Sequence, residues 1–124
     1  MDKATGKIIC VAHEKGRRHD FHLLKRSKTR MNPKTKALTD TGYLGLQKLH
    51  ADTDMPKKRS KKNPLTKEDK ASNRALSSAR VPCENVIGAI KRFKIVADKY
   101  RNRRKRFGLR FSLIAALYNA NLNV

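Results

Sequence analysis

Two acids in this chain have the type and placement to hold a hard divalent cation. Asp40 closes Lys36-Ala37-Leu38-Thr39-Asp40, a run that reads as a short strand, and Thr41-Gly42-Tyr43 follows it. In open α/β sheets the carboxyl ends of strands are where ligands usually bind. Glu84 heads a later amphipathic run that leads into dense positive charge. Two carboxylates from separate elements can converge on Mg²⁺ or Mn²⁺, which take oxygen ligands and keep several waters. Such ions can activate water and stabilise the leaving oxygen in phosphodiester cleavage. A plainer reading stands beside this one. A strand-end Asp is commonly a turn former, and a helix Glu is commonly solvated.

The element that must position Glu84 is Arg80 to Gly108. Cys83, Val86, Ile87, Ile90, Phe93 and Ala97 recur at helical spacing and form an apolar stripe. Glu84, Asn85, Gly88, Lys91 and Arg92 fall on the other side. The basic segment 99–106, which holds Arg101, Arg103 and Arg104, follows. Upstream, Thr66 has the character of an N-cap, with Glu68 and Asp69 in the first turn of a helix from Lys67 to about Ala79. Pro82 must then kink a long helix or begin a new one. Phe107 to Leu122 is apolar on most faces, and such a helix calls for burial on several sides.

The element that must position Asp40 lies in the first half. Lys7-Ile8-Ile9-Cys10-Val11-Ala12 reads as a buried strand. Gly16-Arg17-Arg18 is a basic turn, and His19 to Ser27 a short helix with Phe21, Leu24 and Leu23 inward. Asp20 near its start suits the helix dipole. Met31-Asn32-Pro33 is a breaker. Tyr43 to His50, with Leu46 and Leu49 at helical spacing, reads as another short helix. Residues 51–64 form a loop with the basic run Lys57-Lys58-Arg59-Ser60-Lys61-Lys62, a solvated segment that also offers a phosphate-contacting arm. The order is α/β in class. Two strands make no stable sheet unaided, and Lys3-Ala4-Thr5-Gly6 reads as the turn of a hairpin whose first strand is absent.

Composition narrows the partners. In 124 residues, 31 Lys plus Arg face 10 Asp plus Glu, a net charge of +21. That excess exceeds what solubility requires of a small domain, and it points to DNA or RNA bound in a salt-sensitive way. Cys10 and Cys83 lie in no CxxC pair and read as reduced core residues. A zinc site from Cys10, His13, His19 and His22 lacks a second ligand pair at standard spacing. No signal peptide, lipidation motif or membrane-length apolar run is visible, so a cytoplasmic or nucleoid-associated location is expected, with no membrane partner.

Four ordered phrases carry a resemblance. They are Gly16-Arg17-Arg18-His19-Asp20-Phe21, Leu38-Thr39-Asp40-Thr41-Gly42-Tyr43-Leu44-Gly45, Pro56-Lys57-Lys58 and the run from Arg80 to Ile95. Together they resemble the DDE superfamily transposases of bacterial insertion sequences, in the Harbinger-like endonuclease branch, over essentially the whole chain. The resemblance implies a ribonuclease-H-like fold in which three acids bind Mg²⁺ or Mn²⁺ and drive DNA strand cleavage and transfer. Asp40 matches the second acid and Glu84 the third, with Arg80 one helical turn before Glu84 and Lys91 two turns after. His19-Asp20 matches a family phrase without being one of the three acids.

No residue matches the first acid. Asp2 is the only acid ahead of the first strand, and it falls in the expected turn. The resemblance therefore implies that residues 1–124 are the carboxy-terminal portion of a catalytic domain, a partial fold without its first strands. Such a piece binds transposon-end and target DNA weakly armed with metal, and does not cut alone. Arg17, Arg18, Lys57, Lys58, Arg80, Lys91, Arg101, Arg103 and Arg104 are the expected DNA contacts. A missing amino-terminal half or another transposase chain is the expected protein partner. The competing reading is a non-catalytic basic binder of the ribosomal or nucleoid kind, which would bind slightly better without Asp40 and Glu84.

Overall fold

The structure, a computed structural model, describes residues 1–14, 16–98 and 104–122. Among them are four α-helices and one two-stranded parallel sheet, an α/β composition. The chain divides into two compact units. One comprises Met1–His13 with Val81–Val124, the other Glu14–Arg80.

In the unit Glu14–Arg80, α1 spans Asp20–Ser27, with Asp20 in its first turn. Strand β1 (Ala37–Leu38) pairs in parallel with β2 (Thr53–Asp54), Ala37 opposite Thr53 and Leu38 opposite Asp54. The strand read over Lys36–Asp40 is thus shorter, and the loop read over 51–64 contains its partner. Parallel strands need a long connection, and this one folds into two 3₁₀ turns, Thr41–Tyr43 and Leu46–Lys48, rather than the single helix expected over Tyr43–His50. Gly45, at φ +97, breaks the run. The 3.6-residue spacing then no longer applies: Leu46 is buried at 2% exposure while Leu49 faces solvent. Buried His50 and Thr53 are satisfied, His50 Nε2 by the Thr35 carbonyl at 2.5 Å and Thr53 Oγ1 by the His50 carbonyl at 2.7 Å.

Helix α2 (Lys67–Lys91) begins as its sequence requires. Thr66 Oγ1 accepts the Asp69 N–H and Asp69 Oδ2 accepts the Thr66 N–H, both at 3.1 Å, a reciprocal cap. The helix continues through Pro82, where the missing N–H deprives the Ser78 carbonyl of its helical donor. Its two halves belong to different units.

In the other unit, Val86, Ile90 and Ile114 form the buried cluster, with Ile8, Ile95, Val96, Phe111 and Tyr118 packed against it. The apolar stripe does not run on to Ala97. Helix α2 ends at Lys91, Phe93 takes an extended conformation and remains partly exposed, and the short α3 (Lys94–Ala97) follows. Breaking there turns Ile95 and Val96 onto the cluster. Helix α4 (Phe107–Asn121) buries Ile114 and Ala115, yet Leu109, Leu113 and Leu117 stay 66%, 55% and 53% exposed, so burial on several sides is not achieved within this unit.

The buried strand expected over Lys7–Ala12 is absent. Among the described residues no strand pairs with it. Instead Asn119 of α4 offers its side-chain amide: Oδ1 accepts the Ile8 N–H and Nδ2 donates to the Ile8 carbonyl, each at 2.8 Å. One carboxamide does for Ile8 what a neighbouring strand would do. Ile8 packs inward, Ile9 is 73% exposed, and Cys10 is an exposed free thiol rather than a core residue. The turn ahead of it does form. The Asp2 N–H donates to the Lys7 carbonyl at 2.8 Å, and the Gly6 N–H donates to the Asp2 carbonyl at 3.0 Å.

Candidate functional site

Asp40 lies two residues beyond β1 and N-caps the first 3₁₀ turn, its Oδ1 accepting the Gly42 N–H at 2.9 Å. Its other oxygen lies 3.6 Å from the Arg80 guanidinium. The turn-former reading of Asp40 therefore holds, while the strand expected to end on it stops at Leu38. Gly42 is a close approach: a Cβ there would stand 2.9 Å from Asp40 Oδ1 and 3.2 Å from Asp20 Oδ2, so the carboxylates would have to shift to make room for it. The carboxylates of Asp20 and Asp40 thus converge on one glycine. The His19-Asp20 phrase was the one sequence signal near this neighbour, and it gave no indication of which residue Asp20 would meet. α1 must pack on the 3₁₀ turn before the two acids meet. Phe21, one residue on, lies against Gly45 in the same way.

Glu84 is exposed on the later half of α2, in the unit that contains Val81–Val124, and it is not without interactions. Asp40 and Glu84 thus fall in different units. Asp2 is committed to its turn. Its carboxylate accepts from the Thr5 hydroxyl at 2.5 Å and from the Ala4 and Thr5 N–H groups. These bonds, the Thr5 hydroxyl first, hold the Asp2 carboxyl below its ordinary range.

The expected DNA contacts are disposed unevenly. Arg17, Lys58 and Lys91 are exposed. Arg18 approaches Glu14 at 4.0 Å. Lys57 is held rather than free: its ammonium donates to Asp69 at 2.9 Å, and Asn73 of α2 clasps its backbone N–H and carbonyl at 2.8 and 3.0 Å. Arg80 is half-buried against Asp40. Arg101 and Arg103, with the side chain of Arg104, lie outside the described residues. His13 packs edge-on against Phe107, ring centroids 4.9 Å apart.

Glu14 was not singled out in the sequence. Only 11% exposed, it draws in Arg26, His22 and Arg18. The i, i+4 spacing of His22 and Arg26 within α1 was the available signal.

The donor chemistry suits a hard cation in kind, since Asp40 and Asp20 present carboxylate oxygens. Among the described residues no group of three or more His, Cys, Asp or Glu is gathered in ligating geometry. Nor is any helix long and apolar enough to cross a membrane.

Set beside known proteins, residues 3–119 match the family described as DDE superfamily endonuclease, and the chain belongs to that family. It is 44% identical over 122 residues to a protein of Microchaete diplosiphon named "Probable transposase for insertion sequence element IS702". The match covers 98% of this chain and 44% of that relative, so the chain spans less than half the relative's length. No solved structure matches.

Proposed function

We propose that this chain is the carboxy-terminal part of a DDE transposase catalytic domain of ribonuclease-H-like architecture, and that the whole protein cleaves and joins DNA strands. The observation that carries the reading is the family match over 3–119, together with 44% identity to an insertion-sequence transposase. Asp40 and Glu84 are the second and third acids, and the first comes from an amino-terminal half or another transposase chain. Mg²⁺ or Mn²⁺ held by these carboxylates would activate water and polarise the phosphodiester. Asp40 is kept in one orientation by the Gly42 N–H. Arg80 and Lys91, with Arg17, Arg18, Lys57, Lys58 and the arginines of 101–104, meet DNA phosphates.

With the first acid absent, the chain alone binds DNA in a salt-sensitive way, holds Mn²⁺ weakly and does not cut. The test pairs Mn²⁺ binding, read by electron paramagnetic resonance, with nicking of supercoiled plasmid, for the chain and for the Asp40→Ala/Glu84→Ala variant. The expected result is weak Mn²⁺ binding by the parent only and nicking by neither. Equal Mn²⁺ binding by both would remove the two acids as ligands. Nicking by the parent alone would mean a complete site, and the missing first acid would be wrong.

A further inference from the structure

The first half of α2 carries a shallow groove of about 570 Å³ lined by Lys67, Lys70, Ala71, Arg74, Ala75 and Ser78. Residues three and four apart share a helix face, so the three cations form a row beside a floor of small side chains. The row does nothing for the helix. Like charges at these spacings repel, and Lys67 and Lys70 stand in the first turn, where the dipole favours acids. No ion pair joins Lys67, Lys70 or Arg74 to another described residue. The neighbouring acids are taken elsewhere: Asp69 by Lys57, Asp52 and Asp54 by Lys36, Asp40 by Arg80. Glu68 flanks the row and does not line the groove. Local rules broken together on one face, with no structural gain, mark a functional surface.

We propose that the Lys67–Lys70–Arg74 row tracks the phosphate backbone of duplex DNA, a deepening of the DNA reading above and dependent on it. Seven residues of helix rise about 10 Å, the length of about three phosphates along one strand. Small floor residues let the backbone approach, and the Ser78 hydroxyl can donate to a phosphate oxygen. Nothing in the row reads base edges, so it adds affinity without sequence preference.

The test measures binding to a random-sequence duplex as a function of salt for four proteins. These are the parent, Lys67→Ala/Lys70→Ala/Arg74→Ala, Glu68→Gln, and Lys3→Ala/Lys34→Ala/Lys48→Ala, which loses the same charge from scattered exposed sites. Alanine is the best helix former, and circular dichroism checks that each variant retains its helices. The groove variant is expected to lose about 2 to 3 from the slope of log K against log salt, clearly more than the scattered variant, and Glu68→Gln to bind at least as tightly as the parent. Equal losses in the two triple variants, or an unchanged slope in the groove variant, overturn the surface and leave DNA binding standing. A parent with no salt-dependent binding overturns the DNA reading itself.

Discussion

The two units solve the same problem with opposite materials. The unit of Met1–His13 and Val81–Val124 holds itself by apolar burial: Val86, Ile90 and Ile114, with Ile8, Ile95, Val96, Phe111 and Tyr118 against them. The unit Glu14–Arg80 buries little besides Leu46, His50 and Thr53. It contains every ion pair described above, around Glu14, Lys36, Asp69 and Asp40. A chain so rich in cations can build a unit around its few acids by surrounding each with bases. Apolar burial is not screened by salt, whereas exposed pairs weaken as salt rises.

One device is common to both. Asn119 clasps Ile8 and Asn73 clasps Lys57, each carboxamide taking the N–H and carbonyl of one residue in an irregular segment. The first clasp is partly buried and the second exposed. An unmet backbone group costs more where water cannot reach it, so the two should differ in worth.

The largest effect expected is in the apolar unit. Ile114→Ala removes a buried side chain from the central cluster and should cost about 2 to 5 kcal/mol, read as a lower urea midpoint by circular dichroism and unchanged between low and high salt. A cost that shrinks with salt would break the contrast. Next, Glu14→Gln leaves Arg26, Arg18 and His22 facing a neutral amide, and should cost about 1 to 3 kcal/mol at low salt. Here the loss should fall as salt rises. Asn119→Ala should cost about 1 to 2 kcal/mol and Asn73→Ala about half of that, with faster amide exchange at Ile8 and Lys57 respectively. Equal losses would show that burial does not distinguish the clasps.

The smallest effect is acidic. The Lys57 ammonium first, then the Thr66 N–H, holds the Asp69 carboxyl below its ordinary 3.8. A carboxyl depressed on folding stabilises the fold above its unfolded value, and that contribution is lost as pH falls through the lower folded value. The carboxyl carbon resonance of Asp69 should therefore titrate below 3.8, and Lys57→Ala should bring it back towards that value.

Local signals were legible and long-range ones were not. Thr66, Glu68 and Asp69 announced the start of α2, and Asp20 the start of α1, because a cap needs only its own turn. Asp40 was legible as a turn former for the same reason, although β1 stops two residues before it. Lys7–Ala12 misled because a β-branched run states what a strand prefers, not whether a partner strand is present. Its partner was one amide 111 residues away. The break at Phe93 was hidden in the same way, since the cluster that rewards burying Ile95 and Val96 is completed by Ile114. At the site, the phrase around Asp40 was readable, while its nearness to Asp20 depended on packing α1 over Gly42.

The clasp between Ile8 and Asn119 also sets an order in time. Ile8 is synthesised on the order of ten seconds before Asn119 at typical elongation rates. In that interval the unit Glu14–Arg80 emerges, while the Ile8 backbone waits for its Asn119 partner. A strand-prone segment left waiting is open to pairing with whatever edge it meets first. The last turn of α4 therefore closes a segment made 111 residues earlier, and slowing synthesis between Arg80 and Asn119 lengthens the wait in proportion.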